Sequence, residues 1–283
     1  MLNRSRFMER FSSGIHLLDG ATGTELRRAG MPDNCCGEQW CLGHPEAVRT
    51  LQRAYAEAGS VIVYAPTFLA QPLALKRWGL ETETGRINRS LISISREAAP
   101  GCLIAGNLTT MQGCGTDDPA AMKAAYRCQT EALIDGGADI LAAETLMNTR
   151  EAELILETAA ELSEMPVMVS FTCRDGKELH SGEKIADALR AAEEKGACAV
   201  GINCVAADDT LPELIRTLRQ AVRVPLLCKP NAGYPVKGKY PVGATQFAAV
   251  LTACAENGAN LIGGCCGTTP EYIRELHKRL NQK

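Results

Sequence analysis

The chemistry most legible in this chain is sulfur chemistry. Thirteen cysteines stand among 283 residues, an odd number in a chain too long to need disulfide staples. Cys102, Cys173, Cys198, Cys228 and Cys254 lie within or beside apolar runs and read as small buried hydrophobes. Cys204 and the adjacent pair Cys265-Cys266 do not. Each closes a short apolar run, and Gly263, Gly264 and Gly267 flank the pair, so the backbone there can turn tightly enough to aim both sulfurs at one point. Zn²⁺ takes thiolates at about 2.3 Å in a tetrahedron, and a catalytic zinc keeps one position open. Three thiolates and a vacancy match that demand. The resulting centre would carry a net charge of −1, a poor Lewis acid for hydrolysis but one that deprotonates an incoming thiol and leaves it nucleophilic.

Other readings of the same residues stand beside this one. Adjacent cysteines in a glycine-rich turn are also ordinary buried residues. Gly263-Gly264-Cys265-Cys266-Gly267-Thr268-Thr269 precedes a helical pattern and has the composition of a phosphate cradle. Lys229 offers Schiff-base chemistry of the lyase kind, against the plainer roles of pairing with a carboxylate or facing solvent. A non-catalytic zinc- or thiol-binding protein is a further alternative.

Eight elements must position these residues. Short continuous apolar runs at 15–19, 60–65, 102–108, 140–144, 167–173, 199–204, 226–230 and 260–264 suit parallel strands covered by helices. Helical patterns lie between and after them, at 45–58, 83–98, 119–136, 149–163, 183–195, 211–221, 244–257 and 270–280. Several open on Pro and close on Gly or Asn. Eight strand–helix units without a linker or composition shift predict a single (β/α)₈ TIM barrel over residues 1–283. A doubly wound sheet is the rival, but Asp19-Gly20-Ala21-Thr22-Gly23-Thr24 lacks the dinucleotide glycine spacing. In a barrel the active groups stand at the carboxyl ends of strands. Here those ends are Asp19, Pro66-Thr67, Asn107, Glu144, Cys173, Asn203-Cys204, Lys229-Pro230-Asn231 and Gly264-Cys265-Cys266.

Composition removes other classes. With 30 Lys+Arg against 33 Asp+Glu there is no basic block, which argues against nucleic acid as a partner. No apolar run reaches membrane-spanning length, and the polar start MLNRSRFMERFSS has no secretory h-region, so the expected address is cytoplasmic.

The segments Asp19–Leu26, Gly201-Ile202-Asn203-Cys204, Pro230-Asn231-Ala232-Gly233 and Gly263–Pro270 together resemble the homocysteine S-methyltransferase family, across nearly the whole chain. The resemblance implies the same barrel, with zinc on Cys204, Cys265 and Cys266. It implies that Asp19 and Glu144 hold the amino group of homocysteine and that backbone N–H groups around Gly20 take its carboxylate. Thr67 falls beside the substrate, and Asn203 and Asn231 shape the zinc loop and pocket. The implied reaction is transfer of a methyl group to the homocysteine thiol, giving methionine. Family members use methylcobalamin, S-methylmethionine or betaine as donor. The run Gly267–Glu271 is closer to the cobalamin-dependent type. The chain ends at Lys283, just past the eighth helical pattern, so the expected donor is methylcobalamin supplied by a separate corrinoid partner protein.

Three features depart from the family pattern. Pro66 replaces a side-chain amide, Asn107-Leu108-Thr109-Thr110 replaces a Gly-Pro loop, and Cys35, Cys36 and Cys41 crowd the first long loop with Trp40 and His44. These cysteines are expected to be loop residues without a catalytic role.

Overall fold

The structure, a computed structural model, describes residues 2–174 and 177–282. Eight parallel strands form the barrel: His16–Leu17, Ile62–Tyr64, Leu103–Thr109, Ile140–Leu146, Val167–Phe171, Ala199–Ala206, Leu226–Asn231 and Leu261–Ile262. Each pairs with its neighbour in sequence order, and the eighth pairs with the first. The ring closes between the first and second strands through a single parallel bridge, Leu18 to Ile62, and a 2.8 Å bond from the Val61 N–H to the Leu17 carbonyl. The eight expected helices follow the strands and pack outside them.

The two-residue period of a strand sorts side chains between two cores. Ile62, Tyr64, Ala105, Ile140, Ala142, Met168, Ala199, Leu227 and Leu261 pack together inside the barrel. Val63, Ile104, Leu141, Val169, Val200, Leu226 and Ile262 pack outward among the helices. Continuing the inward parity towards the carboxyl ends brings up Asn107, Glu144, Ser170, Asn203 and Lys229. The same alternation that builds the core therefore delivers a ring of polar groups to the barrel mouth.

The other end is closed by a helix that the sequence reading treated only as a polar tail. Arg4–Phe11 is capped by Asn3, whose side chain accepts the Arg6 N–H at 3.0 Å. Its Phe7 and Phe11, one turn apart, are fully buried with their rings 4.7 Å apart and join the inner core. Burying each ring contributes about 2–3 kcal/mol. Strand bounds also differ from expectation. The first and eighth strands are two residues long, and Ile15 is 44 % exposed. The fourth and sixth run on to Leu146 and Ala206. Cys173 leaves the barrel and starts a small hairpin, Cys173–Arg174 against Glu178–Leu179. The long loops after the first two strands carry the short helices Gly23–Arg28, Gly37–Gly43 and Pro72–Leu75.

Candidate active site and metal centre

Strand parity alone would point Cys204 outward, because Asn203 already faces in. A register shift between Asn203 and Ala206 corrects this: Cys204 takes a left-handed backbone, φ +57°, and its sulfur turns towards the mouth. The fourth strand has the same device. Its pairing shifts between Ala143 and Leu146, and Thr145 stands at φ +60°. Left-handed backbone is strained for both residues, and such strain collects at functional sites. Asn203 holds the Thr145 bend. Its Oδ1 accepts from the Thr145 N–H at 2.8 Å and the Ser170 hydroxyl at 2.9 Å, and its amide donates to Thr145 Oγ1 at 2.7 Å.

The eighth strand leads into the turn that carries the cysteine pair. Asn231 ties this turn to the sixth strand, donating to the Cys204 carbonyl at 3.1 Å and accepting the Cys266 N–H at 3.0 Å. Gly267 has φ +82°, and a Cβ there would lie 2.2 Å from the Tyr240 ring, so this position requires glycine. The outcome is convergence. Cys204, Cys265 and Cys266 place their sulfurs within 4.8 Å of one another, and the Cys204 and Cys265 sulfurs are 3.0 Å apart. Among the described residues this is the one group of three or more potential ligands that could share an ion. Cys266 is pulled down to about 3 by hydrogen bonds from Cys204 and Cys265, and the Tyr240 hydroxyl adds to the effect. Cys204 accepts from Cys265, but its bond to Cys266 and its burial push it up to about 12. Three soft sulfurs within reach of one point are a donor set that fits zinc.

A cavity of about 480 Å³ opens above the cluster. Gly20, Glu144, Cys204, Cys265 and Cys266 line it. Gly20 allows the close approach there, since a Cβ would fall 2.7 Å from the Tyr55 hydroxyl. Asn107, Tyr64 and Lys229 line it as well. Glu144 accepts from the Asn107 amide at 2.7 Å; burial raises its pKa while Lys229 and Asn107 pull against that rise. Asn203 and Asn231 lie behind the wall as braces.

Two residues that the resemblance set beside the substrate, Asp19 and Thr67, are bonded within the protein. Asp19 is 1 % exposed, and both its oxygens are engaged, Oδ1 with Lys229 Nζ at 2.6 Å and Oδ2 with the Tyr64 N–H at 2.7 Å. It bridges the first, second and seventh strands where the ring has only one bridge. Thr67 is fully buried and clips the second strand to the third, exchanging bonds of 2.9 Å with the Asn107 carbonyl and N–H. Neither lines the cavity.

The rival chemistries lose their footing. Lys229 is 3 % exposed, with its ammonium 3.6 Å from the Tyr64 ring centroid. Burial works against its charge, but Asp19, Tyr64 and Glu144 outweigh that and hold the pKa above its ordinary value. A Schiff-base lysine needs the opposite shift. The phosphate cradle fails on its donors. From Gly263 to Thr268 the N–H groups are spent on Cys228 O, Asp19 O, Pro230 O, Asn231 Oδ1, Thr24 Oγ1 and Cys265 O. In the first long loop, Cys36 and Cys41 are buried and Cys35 donates to the Pro32 carbonyl at 3.2 Å. His44 stacks on Trp40 at 4.2 Å and bonds its carbonyl, so it completes no second metal site.

Fold and site together define a TIM-barrel protein with a three-cysteine cluster beneath a cavity of about 480 Å³ that Glu144 also lines. The homocysteine S-methyltransferase family profile matches residues 16–280, and the chain belongs to that family. It is 29 % identical to methionine synthase of Mycobacterium leprae over 95 % of this chain, and 30 % identical to that of Mycobacterium tuberculosis over 94 %. It spans about a quarter of the length of those two proteins, 24 % of each. Homocysteine S-methyltransferase of Escherichia coli is 30 % identical, with 94 % of this chain and 95 % of that protein covered. The crystal structure of the Escherichia coli homocysteine methyltransferase MmuM in its metallated form superposes with a TM-score of 0.83 at 29 % identity, over 98 % of this chain and all of that one. Among the described residues no helix is long and apolar enough to cross a membrane.

Proposed function

We propose that this protein transfers a methyl group to the thiol of homocysteine, giving methionine, with zinc on Cys204, Cys265 and Cys266. The observation that carries the reading is the meeting of three sulfurs from distant strands at the floor of a cavity that also holds Glu144. Bound zinc would supply an electrophilic site that holds the substrate sulfur as a thiolate at neutral pH. The chain's own groups orient the rest of the molecule. Glu144 faces the cavity without a bonded cationic partner and receives the substrate ammonium. Asp19 acts at one remove, by fixing Lys229 and the second strand. The Ala21 N–H is taken by Thr268 Oγ1 at 3.0 Å, so the substrate carboxylate falls to the backbone at Gly20 and at Thr22–Gly23. The thiolate attacks the methyl carbon in line, and the donor leaves with the bonding pair.

The proposed donor is methylcobalamin on a separate corrinoid protein, supported by the Gly267–Glu271 run and by methionine synthases among the relatives. A small sulfonium or betaine donor is the second reading. It is favoured by the apolar outer wall of Leu26, Met31, Phe68 and Leu69 and by the end-to-end match with the Escherichia coli homocysteine S-methyltransferase. The reading takes the chain as one barrel unit and places it in the cytoplasm, where the free cysteines stay reduced. Methionine formation from homocysteine is to be assayed in parallel with methylcobalamin, S-methylmethionine and betaine, using wild type and Cys265→Ser. One donor should give methionine with wild type alone. Equal turnover by the metal-free protein or by Cys265→Ser would defeat the proposal.

A further inference from the structure

The two left-handed bends at the barrel mouth are tied to each other. Thr145 stands at φ +60° and Cys204 at φ +57°, each inside a break of strand register. The fifth strand runs between the fourth and the sixth, so no backbone ladder joins the two breaks. The side chain of Asn203, fully buried, crosses that gap. It grips residue 145 at two points, accepting the Thr145 N–H at 2.8 Å and donating to Thr145 Oγ1 at 2.7 Å. The Ser170 hydroxyl of the fifth strand fixes the same Asn203 oxygen at 2.9 Å. A β-branched residue is a rare occupant of left-handed backbone, and glycine would relieve the strain. Glycine would also remove Oγ1 and with it one of the two grips. The strain and the grip are therefore kept together, as at sites where geometry serves function. Each half of the tie adjoins a group that faces the ligand. Glu144 precedes Thr145, Cys204 follows Asn203, and Glu144, Thr145 and Cys204 all line the cavity.

We propose that Thr145 and Asn203 form a positioning clamp that fixes the span between the Glu144 carboxylate and the Cys204 sulfur, and thereby the chain length of the amino-acid thiol that the cavity accepts. This rests on the homocysteine reading above and adds to it a device for specificity. An amino-acid thiol is held at both ends, its amine by Glu144 and its sulfur at the cysteine cluster. With both anchors rigid, only one number of intervening methylenes lets both contacts reach full strength. Cysteine, one methylene shorter than homocysteine, has to give up part of one anchor. A loose span would follow the shorter ligand inward, and the distinction would fade.

The test is calorimetric binding of homocysteine and cysteine without any methyl donor, with zinc content measured after each titration. The proteins are zinc-loaded wild type, Thr145→Gly, Thr145→Ser, Asn203→Ala and the double variant Thr145→Gly with Asn203→Ala. Wild type should prefer homocysteine by about 10- to 200-fold, the usual worth of one methylene. Thr145→Gly leaves Cys204 untouched and should cut that preference about fivefold or more, whereas Thr145→Ser keeps the Oγ grip and should stay within about twofold of wild type. Asn203 lies behind the cavity wall, so a matching loss in Asn203→Ala separates the clamp from a change in cavity volume. The double variant should select no worse than the poorer single one, because the two residues act as a unit. An unchanged preference in Thr145→Gly, even with both thiols weakened equally, would overturn the inference, since the pair would then only support the fold. Losses that multiply in the double variant would overturn it too. Wild type that binds both thiols equally well would refute the clamp as a ruler yet leave the homocysteine reading standing. Wild type that binds neither would remove that reading itself.

Discussion

Replacing Lys229 with Met puts the buried ion pair to a direct test. The pair is sealed, with side chains 3 % and 1 % exposed and Nζ 2.6 Å from Asp19 Oδ1. Met keeps most of the stem that covers Tyr64 and removes only the charge. Asp19 is then a buried carboxylate whose remaining partner is the Tyr64 N–H at 2.7 Å. Breaking one side of such a pair is destabilising by about 3–5 kcal/mol. With a urea slope of about 3 kcal/mol/M, the unfolding midpoint should fall by about 1–1.7 M, read by circular dichroism. Asn at position 19 still accepts the Tyr64 N–H, so Asp19→Asn combined with Lys229→Met should recover most of the loss. The pH dependence has a definite sign. The folded pKa of Lys229 is raised, so its contribution is fully present below the unfolded value of about 10.4 and is lost only as pH climbs through the folded value. Lys229 itself therefore adds no slope between pH 6 and pH 9, but burial raises the Asp19 pKa and Lys229 is the main group opposing that rise, so the deficit of the single variant should grow as pH climbs from 6 to 9. A midpoint within about 0.3 M of wild type, or a double variant weaker than the single, would refute the account.

Stripping zinc with a chelator should abolish methionine formation reversibly while the far-ultraviolet dichroism stays unchanged, since the core packs without the cluster; turnover surviving chelation would count against the metal centre. Asn231→Leu removes both ties across the cysteine turn and should weaken zinc binding about 10- to 100-fold in competition with a chromophoric chelator, with the dichroism retained; unaltered affinity would dismiss the bracing role. Iodoacetamide at pH 8 should modify half-buried Cys35 and spare Cys41, as peptide mapping can establish. Burial, reinforced by Glu38, pushes Cys41 up to about 12, leaving about one thiolate in 10⁴ at that pH, so rapid labelling of Cys41 would contradict the packing described.

The barrel was legible because its strands are short, continuous and apolar, and because several helices carry their own start or stop chemistry. The cysteine cluster was legible because strand ends in a barrel share a mouth, so Cys204 and Cys265-Cys266 had to be neighbours. What escaped is what depends on local backbone exceptions. No composition cue marks the bends at Thr145 and Cys204; without the second, Cys204 would point away from its partners. Asp19 was legible as a strand end, but nothing in the sequence showed that the nearly unpaired seam beside it engages both its oxygens. Lys229, five positions beyond Val224, gave no sign of its partner 210 residues away. The helix Arg4–Phe11 did leave a signal, an Asn cap and two Phe one turn apart, hidden by the many charges around them.

The bend at Cys204 bears on how this protein would evolve in the laboratory. A non-glycine residue held at φ +57° sits uphill of what glycine would accept by about 1 kcal/mol or more. Selection for heat resistance alone would thus favour Cys204→Gly, relaxing the backbone and discarding a ligand in the same step. Libraries screened for thermostability without a catalytic filter should drift towards inert barrels, and position 204 is where that drift would first be written.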